Sequence, residues 1–287
     1  MRILVLGASG MLGSAAFRGF AAAPGIAAFA TARSDGIRRH FAPSMQPNLI
    51  TGVDVLDTDA LLGVLAQVRP DAVVNCIGVI KQLGAAKDPL IAVPLNTLLP
   101  HRLARAAALV GARLVHVSTD CVFRGTIGNY TESMLPDAED LYGRSKLLGE
   151  VDYPNAVTLR TSIIGREVST RNGLVEWFLG AENSVRGFTR AIFSGLPTNE
   201  LVRVIIHHVL PHPELCGVWH VGAAPISKHD LLLLLREAYG RTIEIVPDPA
   251  PVLDRSLDSS RFRAATGYTP PDWMTLIEAM RACEGPP

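Results

Sequence analysis

The chain has 287 residues, of which 48% are hydrophobic, and its 27 Lys and Arg side chains balance 27 Asp and Glu. This balance excludes the strongly basic proteins that bind nucleic acid or anionic membranes through charge. Four scattered cysteines form no CxxC or Cys/His cluster, which favours a reducing cytoplasm and predicts no metal site. Arg18 and Pro24 interrupt the apolar N-terminal stretch, so we expect neither a signal peptide nor a membrane span.

The first 165 residues alternate short apolar runs with helical segments. The predicted strands lie at 2–7, 26–32, 48–55, 71–78, 113–120 and 156–165. The predicted helices lie at 11–20, at 58–68, in a long segment ending near residue 110, and at 139–151. Near-continuous apolar strands separated by helices predict an α/β fold with a doubly wound parallel sheet of the Rossmann type, covered on both faces.

From residue 166 onward proline and glycine become frequent, the strands shorten and helices dominate. One helix has readable ends, since Ser227 can cap its start and Gly240 can stop it. We therefore divide the chain into a dinucleotide-binding and catalytic domain, 1–165, and a smaller, partly helical substrate-binding region, 166–287.

Three glycines, Gly7, Gly10 and Gly13, follow the first strand and open the first helix. Glycines at such positions permit a tight turn, a close approach of the backbone to a pyrophosphate, and close helix packing. The helix N-terminus adds free N–H groups and the positive end of its dipole. The pattern predicts a dinucleotide site; the alternative is a turn that serves packing alone.

The end of the second strand is the usual place where a protein distinguishes the two nicotinamide cofactors. Here Arg33 and Ser34 occupy that place, and Asp35 is displaced outward. An arginine accommodates a 2′-phosphate, so we predict that NADP(H) is preferred and that NAD(H) is also accepted. The alternative is that Arg33 is merely solvated. Asp54, after the third strand, is expected either to bind the adenine amino group or to cap its own loop.

Tyr142 and Lys146 are four residues apart on a predicted helix and therefore share one face. The chain has only 4 lysines against 23 arginines, which makes a lysine at this position informative. An adjacent ammonium is expected to lower the pKa of the phenol and to hold ribose hydroxyls. The alternative is a surface pair without a role. Thr119, at the carboxyl end of the fifth strand, supplies a hydroxyl at the edge where ligands bind in such sheets.

Six motifs occur together along the chain: the Gly7/Gly10/Gly13 loop, STD followed by VF at 118–123, YGRSK at 142–146, LRTS at 159–162, PT at 197–198, and RSLDSSRF at 255–262. Together they resemble the extended short-chain dehydrogenase/reductases, and most closely the dTDP-4-dehydrorhamnose reductases. The resemblance implies that Thr119, Tyr142 and Lys146 form the catalytic set. It also implies reduction of a 4-keto-6-deoxy sugar nucleotide in deoxysugar or cell-surface polysaccharide biosynthesis, with hydride delivered to C4 and a proton from Tyr142. A homodimer is a further expectation.

The predicted ligand contacts follow from the strand ends and from the resemblance. Cofactor contacts are expected at Gly7, Ser9, Gly10, Met11, Leu12, Gly13, Arg33, Ser34, Asp54, Val55, Cys76, Ile77, Gly78, Ser118, Tyr142 and Lys146. Substrate contacts are expected at Thr119, Asp120, Ile163 and Arg255. For Arg255 an ion pair with Asp254 or Asp258 is the alternative, and Arg160 is expected to be buried and paired.

The sequence departs from the family pattern at three places near the expected ligands. Cys121 stands where a tyrosine is usual, the fourth strand continues as NCIGVIKQ (75–82) in place of Asn-Ala-Ala, and Ile163 replaces an aromatic residue. Two other functions stay open. One is a sugar-nucleotide epimerase or dehydratase with retained NAD, although a dehydratase usually has Asp-Glu after the catalytic threonine, whereas Cys121 follows Asp120 here. The other is a non-catalytic, nucleotide-binding regulatory subunit.

Overall fold

The computed structural model describes residues 1–81, 84–168 and 170–283, which form strands and helices in the order expected of an α/β protein. The strands are β1 (Arg2–Leu6), β2 (Ala27–Thr31), β3 (Leu49–Ile50), β4 (Ala72–Asn75), β5 (Arg113–Thr119), β6 (Ala156–Thr161), β7 (Ile163–Ile164), β8 (Ser184–Phe188), β9 (Ala191–Phe193), β10 (Leu196–Pro197), β11 (Gly217–His220), β12 (Ile226–Ser227), β13 (Glu244–Asp248) and β14 (Leu253–Asp254). The helices are α1 (Met11–Ala22), α2 (Thr58–Val68), α3 (Pro89–Ala92), α4 (Leu99–Leu109), α5 (Leu141–Leu148), α6 (Leu174–Leu179), α7 (Thr198–Val204), α8 (Lys228–Ala238), α9 (Ser260–Thr266) and α10 (Trp273–Ala282). A π-helical stretch, Val93–Leu98, joins α3 to α4.

Seven strands form one parallel sheet in the order β11-β6-β5-β4-β1-β2-β3. The predicted doubly wound parallel sheet is therefore confirmed. The strand order reverses between β1 and β4, and ligands of such sheets bind at that point, beyond the carboxyl ends of the strands. Because β11 comes from the second half of the chain and completes the sheet of the first, the division at residue 165 stays a prediction.

Both faces of the sheet are buried. Ile3 and Val5 of β1 pack in one apolar core with Phe17 of α1, whereas Leu4 and Leu6 pack in a second core on the opposite face. Successive strand residues point to opposite faces, so a strand covered on both sides must be apolar throughout. This explains why the strands are near-continuous apolar runs in the sequence.

The described elements differ from the predicted ones mainly after β2. The third strand was predicted at 48–55 but spans only Leu49–Ile50, and Gly52, with φ +77°, turns the chain away just after it. The predicted ends of α8 are confirmed, since the Ser227 hydroxyl accepts from the Asp230 N–H at 3.0 Å and Gly240 follows with φ +61°. Within the described ranges, no helix has both the length and the apolar character needed to cross a membrane.

Candidate active site

The turn from β1 into α1 requires glycine at two positions, Gly7 in the loop and Gly13 in the first turn of the helix. Gly7 has φ +91°, a backbone region that side chains rarely adopt. A Cβ on Gly13 would lie 2.0 Å from the Gly7 carbonyl oxygen. Gly10 caps α1 without a side chain, so no side-chain oxygen takes up the first N–H groups of the helix. A cradle of this kind has the free N–H groups that a pyrophosphate needs, and the dinucleotide site stays a prediction.

Four other predicted cofactor residues, Ser9, Met11, Leu12 and Ile77, lie in or next to this loop. Ser9 is exposed in the loop, Leu12 is buried behind it, and the Met11 methyl group lies 2.7 Å from the place of a Cβ on Gly173. Ile77, after β4, lies 2.8 Å from the place of a Cβ on Gly7. Ile77 and Gly7 therefore lie side by side just beyond the ends of β4 and β1, at the point where the strand order reverses.

The edge formed by β2 and β3 carries exposed polar residues. Arg33 and Ser34 are exposed directly after β2, where a 2′-phosphate would be selected. Asp54 is exposed, and its Oδ1 accepts from the Leu56 N–H at 3.0 Å, which is the loop-capping alternative. Val55 beside it is buried in the second core, so its side chain does not face this edge.

The carboxyl end of β5 brings three predicted site residues together. Thr119 is 8% exposed; its Oγ1 accepts from the Cys121 N–H at 3.1 Å and lies 3.2 Å from Asp120 Oδ1. The Thr119 hydroxyl also lies near the Tyr142 phenol, where it opposes the rise in the pKa of that phenol. Burial raises the pKa of Asp120, and burial beside Asp120 raises the pKa of Cys121 to about 12. The Cys121 thiol therefore stays neutral and is no nucleophile at neutral pH.

The helix that carries Tyr142 can approach Thr119 because of a glycine. Asp140 caps α5 by accepting from the Gly143 N–H at 2.8 Å, which fixes where the helix begins. A Cβ on Gly143 would lie only 2.4 Å from the Cys121 carbonyl oxygen. The motif glycine between the tyrosine and the lysine thus permits α5 to pack closely against the segment that follows β5.

Lys146 is 5% exposed, and its Nζ donates to the Val117 carbonyl oxygen of β5 at 2.8 Å. Burial lowers its pKa to about 8, although the Glu150 carboxylate opposes the shift. A Cβ on Gly78, at the end of β4, would lie 3.8 Å from Nζ. The ammonium therefore lies in the crevice between β4 and β5, beside the predicted cofactor residues Cys76 and Gly78.

The pKa of Tyr142 is raised, and not lowered as the sequence predicts. Burial is the main cause, and the nearby Cys121 and the acids Asp120 and Asp140 add to it. The Lys146 ammonium, which donates to the Val117 carbonyl oxygen, does not outweigh these effects. In this site Tyr142 is a neutral phenol at physiological pH, which is the form that can donate a proton.

Ser118 is predicted to contact the cofactor, but its hydroxyl donates to Glu150 Oε1 at 2.7 Å. It points to the face of β5 opposite Thr119, because adjacent strand residues alternate. Glu150 also takes two bonds from Arg160, from Nε at 2.7 Å and from NH2 at 2.6 Å. Arg160 is therefore buried and paired, as predicted, and its NH1 reaches His220 of β11 at 3.3 Å.

One further polar residue lies close to the catalytic helix and was not foreseen. Asn96, in the π-helical stretch, is 1% exposed and accepts from the Val79 N–H at 2.8 Å. Its Nδ2 lies 3.1 Å from the hydroxyl of Ser145, which is on α5 between the tyrosine and the lysine. A lone asparagine in a mostly apolar helix was the available signal, but its partners are distant in sequence.

The predicted substrate residues lie on the other side of Thr119. Arg255 donates from Nε to the Phe123 carbonyl oxygen at 2.8 Å, and its charge opposes the rise in the pKa of Asp120. It forms no ion pair with Asp254 or Asp258 among the described side chains. Ile163 lies in β7 just beyond β6 and is partly buried.

Comparison with known proteins places these features in a family. Residues 1–282 match the family described as the RmlD substrate binding domain. The chain is 34% identical over 149 residues to methionine adenosyltransferase 2 subunit beta of Rattus norvegicus, a match that covers 52% of this chain and 41% of that protein. It is 29% identical over 244 residues to dTDP-4-dehydrorhamnose reductase of Mycolicibacterium smegmatis, covering 78% of this chain and 73% of the relative.

A solved structure agrees with the fold. That of dTDP-4-dehydrorhamnose reductase from Bacillus anthracis in complex with NADP superposes with a TM-score of 0.77 and 20% identity, covering 98% of both chains. The chain spans less than half the length of the rat relative. The family match extends over nearly all of the residues that the structure of this chain describes. The protein belongs to the family of the RmlD substrate binding domain.

Proposed function

We propose that this protein reduces the 4-keto group of a 4-keto-6-deoxy sugar nucleotide, with NADPH preferred over NADH. The single observation that carries the proposal is the nearness of the Thr119 hydroxyl to a protonated Tyr142, on the helix that also carries the buried ammonium of Lys146. The reductase relative supports the substrate class, and the NADP complex of the solved neighbour supports the cofactor.

The residues divide the chemistry between them. When bound, a nicotinamide cofactor supplies the hydride. Thr119 holds the carbonyl oxygen of the sugar by a hydrogen bond, and Tyr142 donates a proton to that same oxygen. Burial keeps the phenol protonated, and Lys146 provides a positive charge that compensates for the phenolate left after proton transfer.

The two residues that follow Thr119 argue against a dehydratase. That reaction needs groups that move protons at neighbouring carbons, and here Asp120 is 8% exposed and is followed by Cys121, whose pKa is raised to about 12. An epimerase that retains its nicotinamide would not consume NADPH. Net consumption of NADPH therefore separates a reductase from this class.

The direct experiment follows NADPH absorbance with a panel of 4-keto-6-deoxy sugar nucleotides. We expect oxidation with at least one of them, and we expect Tyr142→Phe to lower turnover about 10²–10⁴-fold while NADPH binding is retained. Tyr153→Phe is the matched control, because Tyr153 bonds to His101 at 3.0 Å, away from the β5 edge; its turnover should be unchanged. No oxidation with any member of the panel would refute the proposed substrate.

The second candidate is a nucleotide-binding subunit of a larger assembly. The observation that favours it is the similarity to a protein named as a subunit of methionine adenosyltransferase. In that case neither the wild type nor Tyr142→Phe should oxidise NADPH with the panel, and the two should bind NADPH equally.

A further inference from the structure

Two side chains of opposite charge compete at the cofactor-selecting edge. Arg33 comes directly after β2, and Asp35 follows two residues later, at the start of a 3-10 helix, Asp35–His40. A carboxylate at such a place accepts ribose hydroxyls and repels a 2′-phosphate, whereas an arginine attracts the phosphate. Which of the two faces the ligand therefore decides the cofactor.

In the structure the Asp35 carboxylate is already hydrogen-bonded to two neighbouring side chains. Asp35 Oδ1 accepts from Arg38 Nε at 2.6 Å and from the Thr51 hydroxyl at 2.8 Å. Arg38 is itself fixed, because its NH2 donates to Thr51 Oγ1 at 3.0 Å and its NH1 to the Gln46 carbonyl oxygen at 2.7 Å. The Gln46 amide in turn donates to the Arg38 carbonyl oxygen at 3.2 Å. Asp35 thus belongs to a closed network that joins the 3-10 helix to Gln46, before β3, and to Thr51, after it.

Arg33 has the opposite environment. Its side chain is exposed and makes no hydrogen bond or ion pair with any other described residue. The adjacent Ser34 hydroxyl accepts from the Gly36 N–H at 3.3 Å and so caps the 3-10 helix. Of these two opposite charges, that of Asp35 has side-chain partners among the described residues and that of Arg33 has none.

We propose that Arg38 and Thr51 are specificity-determining positioning residues, which hold the Asp35 carboxylate away from a bound 2′-phosphate and leave Arg33 to receive it. The inference rests on the proposed nicotinamide cofactor and deepens it. Arg38 acts through Asp35, so removing Arg38 matters only while Asp35 is an acid. Because Arg38 also offsets the charge of Asp35, its loss exposes a full negative charge at this edge.

Isothermal titration with 2′,5′-ADP and with 5′-AMP tests this without any sugar substrate. The wild type should bind 2′,5′-ADP more tightly than 5′-AMP. Arg38→Ala should weaken binding of 2′,5′-ADP about tenfold and leave that of 5′-AMP unchanged. Thr51→Val, which removes one donor to Asp35 and keeps the shape, should have the same effect at smaller size.

Two further variants separate positioning from general charge. Asp35→Asn in the Arg38→Ala background should restore most of the lost affinity for 2′,5′-ADP. Arg39→Ala is the matched control, since Arg39 lies on the same 3-10 helix and bonds to His40 at 3.1 Å and not to Asp35; its titrations should equal those of the wild type.

Three results would overturn the inference. Equal loss for both nucleotides in Arg38→Ala would mean that Arg38 only maintains the fold of this segment. A double variant as weak as Arg38→Ala would mean that Arg38 itself binds the phosphate. An equal loss in Arg39→Ala would mean that only net charge matters. A wild type that binds neither nucleotide would instead refute the proposed cofactor.

Discussion

Two regions of the same sheet, called here the buried edge (beside β5 and β6) and the exposed edge (beside β2 and β3), differ in how far they shield charge from water. Between β5 and β6, the Arg160 and Glu150 side chains are each 6% exposed and Lys146 is 5% exposed. Near β2, the Arg38 and Asp35 side chains are 32% and 76% exposed. Water screens the second pair, so breaking it costs little, whereas removing one partner of the first leaves an uncompensated charge in the protein interior.

Because of this difference, we expect substitutions at the two edges to affect different properties of the protein. The buried edge holds the proposed catalytic groups in one arrangement, so its substitutions should change stability and turnover together. At the exposed edge water can replace a lost partner at little cost to stability, so substitutions there should change ligand preference alone. Variants that remove the same chemical group at both edges test the distinction.

The largest expected effect is on the free energy of unfolding. Glu150→Gln leaves Arg160 buried without its carboxylate and should lower the stability by about 3–5 kcal/mol, measured by urea unfolding. Asp35→Asn makes the same carboxylate-to-amide change at the exposed edge and should leave the unfolding curve unchanged. Similar curves for the two variants would contradict the comparison.

The same difference explains what the sequence could predict. The glycine loop and the Tyr142–Lys146 pair are local patterns, in which a spacing of three or four residues fixes the geometry, and the structure brings both to the predicted edge. The bond between Glu150 and Ser118 is not local, since it joins residues 32 positions apart. A pattern along the chain does not contain such a partner.

The pKa of Tyr142 shows a second limit. Spacing predicted that a lysine one turn away would lower it, but burial outweighs the lysine and the ammonium of Lys146 is turned to a β5 carbonyl. Side-chain direction and burial both depend on the packed neighbours. The third strand was too long in the prediction for a related reason, because apolar residues after Gly52 enter the core without pairing in the sheet.

The next effect is on turnover. Lys146→Arg keeps the charge but places a larger, planar group in a site where Nζ is 2.8 Å from a carbonyl oxygen. We expect kcat to fall about 100-fold, measured by NADPH oxidation. Lys87→Arg, an exposed lysine on the same half of the chain, should show no change. Full activity of Lys146→Arg would mean that any cation suffices here and that the compact shape of the lysine is not needed.

A smaller effect is expected at the helix glycine. Alanine is usually better than glycine within a helix by up to about 1 kcal/mol. At Gly143 the added Cβ would meet the Cys121 carbonyl oxygen at 2.4 Å, so Gly143→Ala should instead lower stability by about 1–3 kcal/mol and reduce turnover. Gly63 of α2 has no atom within 4 Å of such a Cβ, so Gly63→Ala should raise the melting temperature. Stabilisation by both would show that α5 need not pack so closely.

The smallest effect is a pH dependence that only the buried edge should show. With a pKa of about 8, Lys146 loses its proton as pH rises, so kcat/KM should be level up to about pH 7, about half of that at pH 8 and about tenfold lower by pH 9. The titration of Lys146 does not cause this loss by unfolding the protein. The unfolded lysine, near 10.5, binds more protons than the folded one between about pH 8 and 10.5, so the contribution of Lys146 to stability rises with pH there.

Lys146→Arg tests that assignment, because a guanidinium stays charged over this range and its residual activity should stay level to pH 9. At the exposed edge, hydrogen bonds from Arg38 and Thr51 lower the pKa of Asp35, so the preference for 2′,5′-ADP should be constant from pH 7 to 9. An alkaline loss of turnover that persists in Lys146→Arg would assign the limb to another group. The charge of Lys146 would then not be what connects burial at this edge with catalysis.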